Sequence, residues 1–338
     1  MSARTSAKIY RGTPRNLNLL ARALVAGEVA AVPTETVYGL AGDALNTQAV
    51  KKIFRAKGRP TNDPLIVHIH SLAQLDELAV RNAAVEKIAR AFWPGPLTLI
   101  LPKKSVVPDL VTSGRPSVAI RMPNHPLFRS LLRICGRPLA APSANLFGYV
   151  SPTCAAHVRD GLGRKIRYIL DGGACAIGVE STILDLRDPL HPAILRPGAI
   201  ERRAIERVLR VPVTAFVAKP QPANTAAVAP GMLTRHYSPR TPVELSAKLD
   251  LPTAESASKN EAFLFFQQPA KFADGSAPKN IFWLTKSGNL HAAAKTLFAT
   301  LRELDAGNWT KIHAERAPSD NALALAINDR LTRAAAKR

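Results

Sequence analysis

Pro33-Thr-Glu-Thr-Val-Tyr-Gly-Leu40 and, one helix length later, Lys57-Gly-Arg-Pro-Thr-Asn-Asp-Pro-Leu-Ile-Val-His68 decide how this chain is read. The first segment follows a short apolar run and carries hydroxyls, a carboxylate and an aromatic ring into a Gly turn. The second packs two cations, a Pro-rich turn, an apolar strand and a terminal His into one short stretch. Side chains two apart diverge on a helix, so Lys57 and Arg59 suit a multiply charged anion met by a loop. Together the two segments predict a site that handles phosphate beside a small polar molecule. A basic helix C-terminus answering the macrodipole is the competing explanation for the two cations.

Outward from these segments the pattern is mixed α/β. Leu17, Leu20, Ala21 and Leu24 recur at helical spacing and predict a helix over 15–26 that Gly27 stops. Helices are also expected over 49–57, 82–92 and 126–135, the third ending before Trp93-Pro-Gly-Pro96 and the fourth at Gly136. Strands are expected at 29–32, 65–69, 97–101, 117–121, 139–141, 166–171, 181–185 and 193–196. Without strict βαβ alternation, these elements predict one α/β domain with a mixed sheet. A Pro/Ala-rich stretch over 212–241 reads as a linker, yet it holds the chemically specific Pro230-Gly-Met-Leu-Thr-Arg-His-Tyr-Ser-Pro239. Beyond it, strands at 243–246, 262–266, 280–284 and 311–314 and helices at 290–304 and 321–335 predict a smaller domain with a parallel sheet.

Bulk properties bound the function. A chain of 338 residues with 46% hydrophobic content has room for two cores. No apolar run reaches the roughly 18 residues of a membrane span. The first thirteen residues lack an apolar stretch, which argues against secretion; they are acid-free with Arg and Ser, a faint likeness to a transit peptide. A cytoplasmic location is expected. Cys135, Cys154 and Cys175 are scattered, which argues against a disulfide framework or a Cys zinc site. The net charge of +21 favours polyanionic ligands such as nucleotide, RNA or an acidic partner, unless it is a general basicity of solvated helices.

Several residues carry candidate chemistry. His68 ends an apolar strand, where hydrogen bonding is the ordinary role; His70 shares its face, and no third metal ligand is apparent. Arg121 closes the apolar run Val118-Ala-Ile120 and needs a carboxylate or phosphate, or an internal ion pair, to be buried there. Ser143 and Asn145 in Pro142-Ser-Ala-Asn145, Ser151 before Pro152, and Glu180-Ser-Thr182 suit a polar ligand or plain turn chemistry. Walker A, Gly-x-Ser-x-Gly and Gly-x-Gly-x-x-Gly patterns are all absent.

In this order, Pro33–Leu40, Lys57–His68, Trp93–Thr98, Val118–Pro123, Pro142–Asn145, Val179–Ile183, Leu195–Gly198 and Pro230–Pro239 resemble the threonylcarbamoyl-AMP synthase family in its long form. The resemblance implies a YrdC-like, twisted mixed-sheet α/β catalytic domain at 1–211 and a linker or lid at 212–241. A Rossmann-like parallel α/β domain would follow at 242–338. It implies that L-threonine, bicarbonate or CO2, and ATP give threonylcarbamoyl-adenylate and pyrophosphate. The adenylate would feed N6-threonylcarbamoyladenosine formation at tRNA position 37 through a downstream transferase. It places Thr36, His68, Arg121, Ser143 and Ser181 around L-threonine. It places Lys57, Arg59, Ser117, Ala141, Asn145, Ser151, Arg196 and Tyr237 around ATP, with Lys57 and Arg59 carrying the catalytic charge. Mg2+ would arrive with the triphosphate, without a protein metal cage. Asp63 stands where relatives usually have Asn, and Asn62 comes one earlier. Binding of tRNA or double-stranded RNA is a further expectation from the charge. A YrdC-like unit of a hydrogenase-maturation carbamoyltransferase would resemble only the first domain and would bring Cys-rich zinc motifs.

Overall fold

Short β-rich runs mixed with helices, several of which end at Gly, build two sheets from this chain. The computed structural model describes residues 6–217, 229, 236–251, 260–318 and 321–336. Most of the Pro/Ala-rich linker, 218–228 and 230–235, lies outside the described residues.

The first sheet uses β1 (Lys8–Arg11), β2 (Ala30–Val32), β3 (Gly39–Asp43), β4 (Ile66–His68), β5 (Leu97–Pro102), β6 (Ser117–Arg121), β7 (Leu139–Ala140), β8 (Tyr168–Asp171), β9 (Thr182–Asp185) and β10 (Ala193–Arg196). Its order is β1-β8-β2-β3-β7-β4-β6-β5-β9-β10, with parallel and antiparallel pairs mixed. The helices are α1 (Pro14–Val25), α2 (Thr47–Lys57), α3 (Leu72–Leu78), α4 (Ala83–Phe92), α5 (Asp109–Thr112), α6 (Pro126–Cys135), α7 (Ala155–Leu162) and α8 (Arg202–Leu209). The acid-free N-terminal stretch thus holds an edge strand, β1, that pairs in parallel with β8. The Gly turn expected at Gly39 is instead the start of β3. Gly39-Leu-Ala-Gly-Asp43 is poor in β-formers, yet it is buried throughout and pairs antiparallel with β2 and β7. Segment 33–38 is therefore the connection of a hairpin.

Register sets up the site. His68 lies opposite Arg121 across β4 and β6, and Thr98 lies opposite Arg121 across β5 and β6. Three polar side chains therefore share one row at the middle of the sheet. The helix that delivers Lys57 and Arg59 is well bounded. Asn46 caps its start by accepting from the Gln48 and Ala49 amides, and Gly58 ends it at φ +63.

The second sheet is all parallel, in order β11 (Val243–Ser246), β14 (Lys311–Glu315), β12 (Glu261–Gln267), β13 (Ile281–Thr285). Ala262, Leu264 and Phe266 of β12 face the cluster formed with α9 (Leu290–Ala306) and α10 (Ala322–Ala334), while Phe263 and Phe265 fill the opposite face. Burial on both faces is why this strand reads as a continuous apolar run.

The two units share a core. Val37, Val150, Val179 and Tyr237 join the apolar cluster of α9 and α10. Contact is close at Gly178, which sits at φ +85. A Cβ there would lie 2.4 Å from the Ala294 carbonyl oxygen and 2.5 Å from the Lys295 Cα. Only glycine lets this strand entry pass so near α9. Among the described residues, no helix is long and apolar enough to cross a membrane.

Candidate active site

The row of polar side chains at the sheet centre opens into a cavity of about 50 Å³. Thr36, Arg59, His68, Arg121, Ala141, Ser143, Ser181, Arg196 and Tyr237 line it, so nine of the residues expected from sequence converge. Thr34, Glu180 and His236 line it as well. Thr34 and His236 fall inside the quoted motifs, and Glu180 immediately precedes Ser181. Lys57, Ser117, Asn145 and Ser151 do not line the cavity; all four are buried beside it.

Arg121 forms the floor. Its Nη1 donates to the Thr36 hydroxyl at 2.9 Å, its Nε donates to the Gly95 carbonyl at 3.2 Å, and its Nη2 lies 2.7 Å from a Glu35 oxygen. A carboxylate therefore already rests on this guanidinium, which shows the chemistry the fork accepts. Thr36 is fixed in turn: its amide donates to the Thr34 hydroxyl at 3.0 Å, and the two hydroxyls are 2.8 Å apart.

His68 is fully neutral in this setting. Burial, reinforced by the neighbouring Arg121 charge, pushes its pKa down to about 3. Its Nδ1 is buried without a hydrogen-bond partner. An unpaired buried nitrogen beside a cavity is what a ligand-facing imidazole leaves exposed to its ligand.

On the opposite wall, Arg196 donates through Nε to the Ser181 carbonyl at 3.1 Å and through Nη2 to the Ser181 hydroxyl at 3.1 Å. That hydroxyl is also 2.8 Å from Thr98 Oγ1. Gly198 makes the approach feasible, since a Cβ there would sit 2.3 Å from the Thr182 amide nitrogen.

The two cations of the Lys57–His68 segment divide. Lys57 Nζ donates to the Ser143 carbonyl at 2.5 Å and the Asn145 carbonyl at 2.6 Å, so its ammonium pins the loop after β7. Burial and then Arg59 hold its pKa well below the usual lysine range. Arg59 reaches the cavity, donating to the carbonyls of Asp63 and Pro64, with Nη2 2.9 Å from the Asp63 carboxylate. The departure at Asp63 is thus a buried counter-charge that sets the Arg59 fork. His70 lies beyond β4, its amide donating to Gln74 Oε1.

Tyr237 and His236 line a further wall of the cavity. Tyr237 is buried at φ +62, an αL backbone that is unusual for an aromatic residue. Its ring stacks on Phe298 of α9, with centroids 5.3 Å apart, and meets His236 edge-on at 4.1 Å. Burial and then Glu180 raise its pKa to about 12, so the hydroxyl keeps its proton, and that hydroxyl has no hydrogen-bond partner. His236 is held well below the usual histidine range, by burial first and then by Arg59 and Lys57.

Comparison with known proteins agrees in both halves. A family model named Sua5_yciO_yrdC, described as telomere recombination, matches residues 22–198. A second, described as threonylcarbamoyl-AMP synthase, C-terminal domain, matches 200–336. The chain is 41% identical over 319 residues to a threonylcarbamoyl-AMP synthase of Pyrococcus abyssi, covering 92% of each chain. It is 41% identical over 321 residues to one of Bacillus subtilis, covering 92% of this chain and 90% of that one. The crystal structure of P. abyssi Sua5 complexed with L-threonine superposes with a TM-score of 0.87 at 37% identity, covering 97% of this chain and 98% of that one. The chain belongs to the threonylcarbamoyl-AMP synthase family.

Proposed function

We propose that this chain is an L-threonylcarbamoyladenylate synthase, a nucleotidyltransferase that converts L-threonine, bicarbonate or CO2, and ATP to L-threonylcarbamoyl-AMP and pyrophosphate. One observation carries the reading: three buried guanidiniums, Arg59, Arg121 and Arg196, line one small cavity. The reaction brings threonine carboxylate, carbamate and triphosphate together, and fixed cations in a dry site offset that repulsion.

The threonine nitrogen bonds to the carbon of CO2 and loses a proton to form a carbamate; from bicarbonate the same carbamate forms with a C–O bond broken and that oxygen leaving as water. A carbamate oxygen then attacks the α-phosphorus, and the bond to the pyrophosphate oxygen breaks. Arg121 grips the threonine carboxylate in the place Glu35 now occupies. Thr36, Ser143, Ser181 and neutral His68 supply hydrogen bonds to the amino acid. Arg59 and Arg196 carry the phosphate charge, while Lys57 acts by holding the loop that bears Ser143 and Asn145. Ser117, Ala141, Asn145, Ser151 and Tyr237 complete the nucleotide side.

Among the described residues, no group of three His, Cys, Asp or Glu side chains is placed to hold a metal. Both Glu180 oxygens are taken by Ser151 and Arg330. These residues do not fit a resident Mg2+, so the ion enters as MgATP, part of the substrate. The product serves tRNA modification at position 37 in the cytoplasm through a downstream transferase, and the +21 charge favours contact with that RNA.

Pyrophosphate release from ATP should require both L-threonine and bicarbonate. Release at the same rate without threonine would sink the assignment.

A further inference from the structure

Arg330 lies on α10, at the far end of the chain from the catalytic motifs, and none of its surface is exposed. Its guanidinium reaches out of its own domain. Nε donates to Glu180 Oε2 at 3.1 Å, and Nη1 donates to the Pro197 carbonyl at 2.7 Å. Its Cζ also sits 5.6 Å from the Tyr237 ring centroid. Each of these three contacts falls on, or one residue from, a wall of the cavity, since Glu180 and Tyr237 line it and Pro197 follows Arg196, while Nη1 also meets Asp329 of its own helix at 3.3 Å. The other Glu180 oxygen accepts the Ser151 hydroxyl at 2.7 Å. One buried carboxylate is thus held between an arginine of the second domain and a serine of the first.

We propose that Arg330 is a positioning residue for the nucleotide half of the site, acting through Glu180 on Ser151 and through Pro197 on Arg196. The idea rests on the synthase reading and assigns the second domain a role in it. With Arg330 on one oxygen, Glu180 directs its other oxygen to Ser151, whose proton is then committed. Ser151 meets the nucleotide as an acceptor, suited to a ribose hydroxyl or the adenine amine and unsuited to a phosphate oxygen. On the threonine side the main anchor, Arg121, has its own supports in Glu35, Thr36 and Gly95, while Ser181 is shared because Arg196 holds it. Arg330 should therefore touch ATP use far more than threonine binding, whose main anchor lies apart from it.

A buried ion pair that merely joined two domains would disturb both ligands alike on removal, because they share one cavity. The test measures dissociation constants for a non-hydrolysable ATP analogue and for L-threonine separately, in full-length Arg330→Met, Arg330→Lys, Glu180→Gln and Ser151→Ala. Arg330→Met should weaken the ATP analogue by about tenfold or more, the scale of a lost charged hydrogen bond. Its threonine affinity should stay within about twofold, well inside that same scale. Arg330→Lys, which keeps a donor for Glu180, should recover part of the loss. Adding Ser151→Ala to Arg330→Met should cost less than the sum of the two. If Arg330→Met does not fold, Arg330→Lys and Glu180→Gln must show the same nucleotide-only loss. Equal weakening of both ligands, or no change in either, overturns the proposal. Wild-type protein that ignores the ATP analogue overturns the synthase reading itself, which is a different result.

Discussion

Two concavities draw on the loop after β7, and the smaller one gathers the buried charge. The first has about 50 Å³ and is walled by Arg59, Arg121 and Arg196, all buried. The second has about 920 Å³ and runs between the loop residues Leu146, Phe147 and Tyr149, helix α7, and Arg240 and Arg302 on the side of the second domain. In the large groove Arg240 is solvated, its side chain 77% exposed while it pairs with the buried Asp305. In the small cavity every cation is dry and aimed by named partners. Water screens the charges of the groove and strengthens nothing there, whereas exclusion of water gives the charges of the small cavity their strength. Volume ranks these two places in the wrong order, and desolvated, convergent charge ranks them in the right one.

The comparison breaks most sharply at Arg121. Arg121→Lys keeps the charge and loses the fork, so the threonine KM should rise roughly 10- to 100-fold. The ATP KM should move little, and steady-state kinetics with each substrate varied would reveal it. An unchanged threonine KM would remove Arg121 from its assigned role. Next in size is Gly178→Ala, which forces a side chain into a positive φ and against the α9 backbone. About 3 kcal/mol or more of stability should be lost, visible as a lower denaturation midpoint. A variant as stable as wild type would mean the domains do not dock as described.

A third effect separates dry from wet by pH. His68 is held neutral in the fold, with a pKa of about 3 against an ordinary 6.5. Below 6.5 the unfolded chain gains a proton that the fold refuses, so stability is fully present above that value and declines as pH falls toward about 3. His157, at about 4, contributes in the same direction. His68→Gln should flatten the acid limb of a melting-temperature profile; an unaltered slope would place a solvated histidine at 68. The smallest effect belongs to the groove: Arg240→Ala should leave threonine-dependent pyrophosphate release near wild type. A large drop in turnover would make the groove part of the catalytic apparatus.

Much of this was legible in the sequence because it is local. Pro33–Leu40, Arg121 at a strand end and Pro142–Asn145 announce themselves by neighbouring residue types, and the sheet gathers them. What the sequence hides is pairing at a distance. Arg330 and Glu180 lie 150 positions apart, and no local pattern on α10 marks one arginine among its polar neighbours. Lys57 shows a subtler limit. Its position beside Arg59 is plain from the sequence, but its Nζ turns to two backbone carbonyls, a choice made by the loop folding over it. Strand β3 is hidden for a third reason: Gly39, Gly42 and Asp43 favour turns, and burial between β2 and β7 overrides that preference.

The backbone of Tyr237 gives one wall of the cavity a mechanical character. A site for two substrates needs several hundred Å³, roughly the 300–1,000 Å³ typical of ligand pockets. The cavity here offers about 50 Å³, so its walls must part to seat both. Holding Tyr237 at φ +62 costs about 1–3 kcal/mol. Burial and stacking on Phe298 offset that cost, so α9 of the second domain keeps this wall of the cavity under tension.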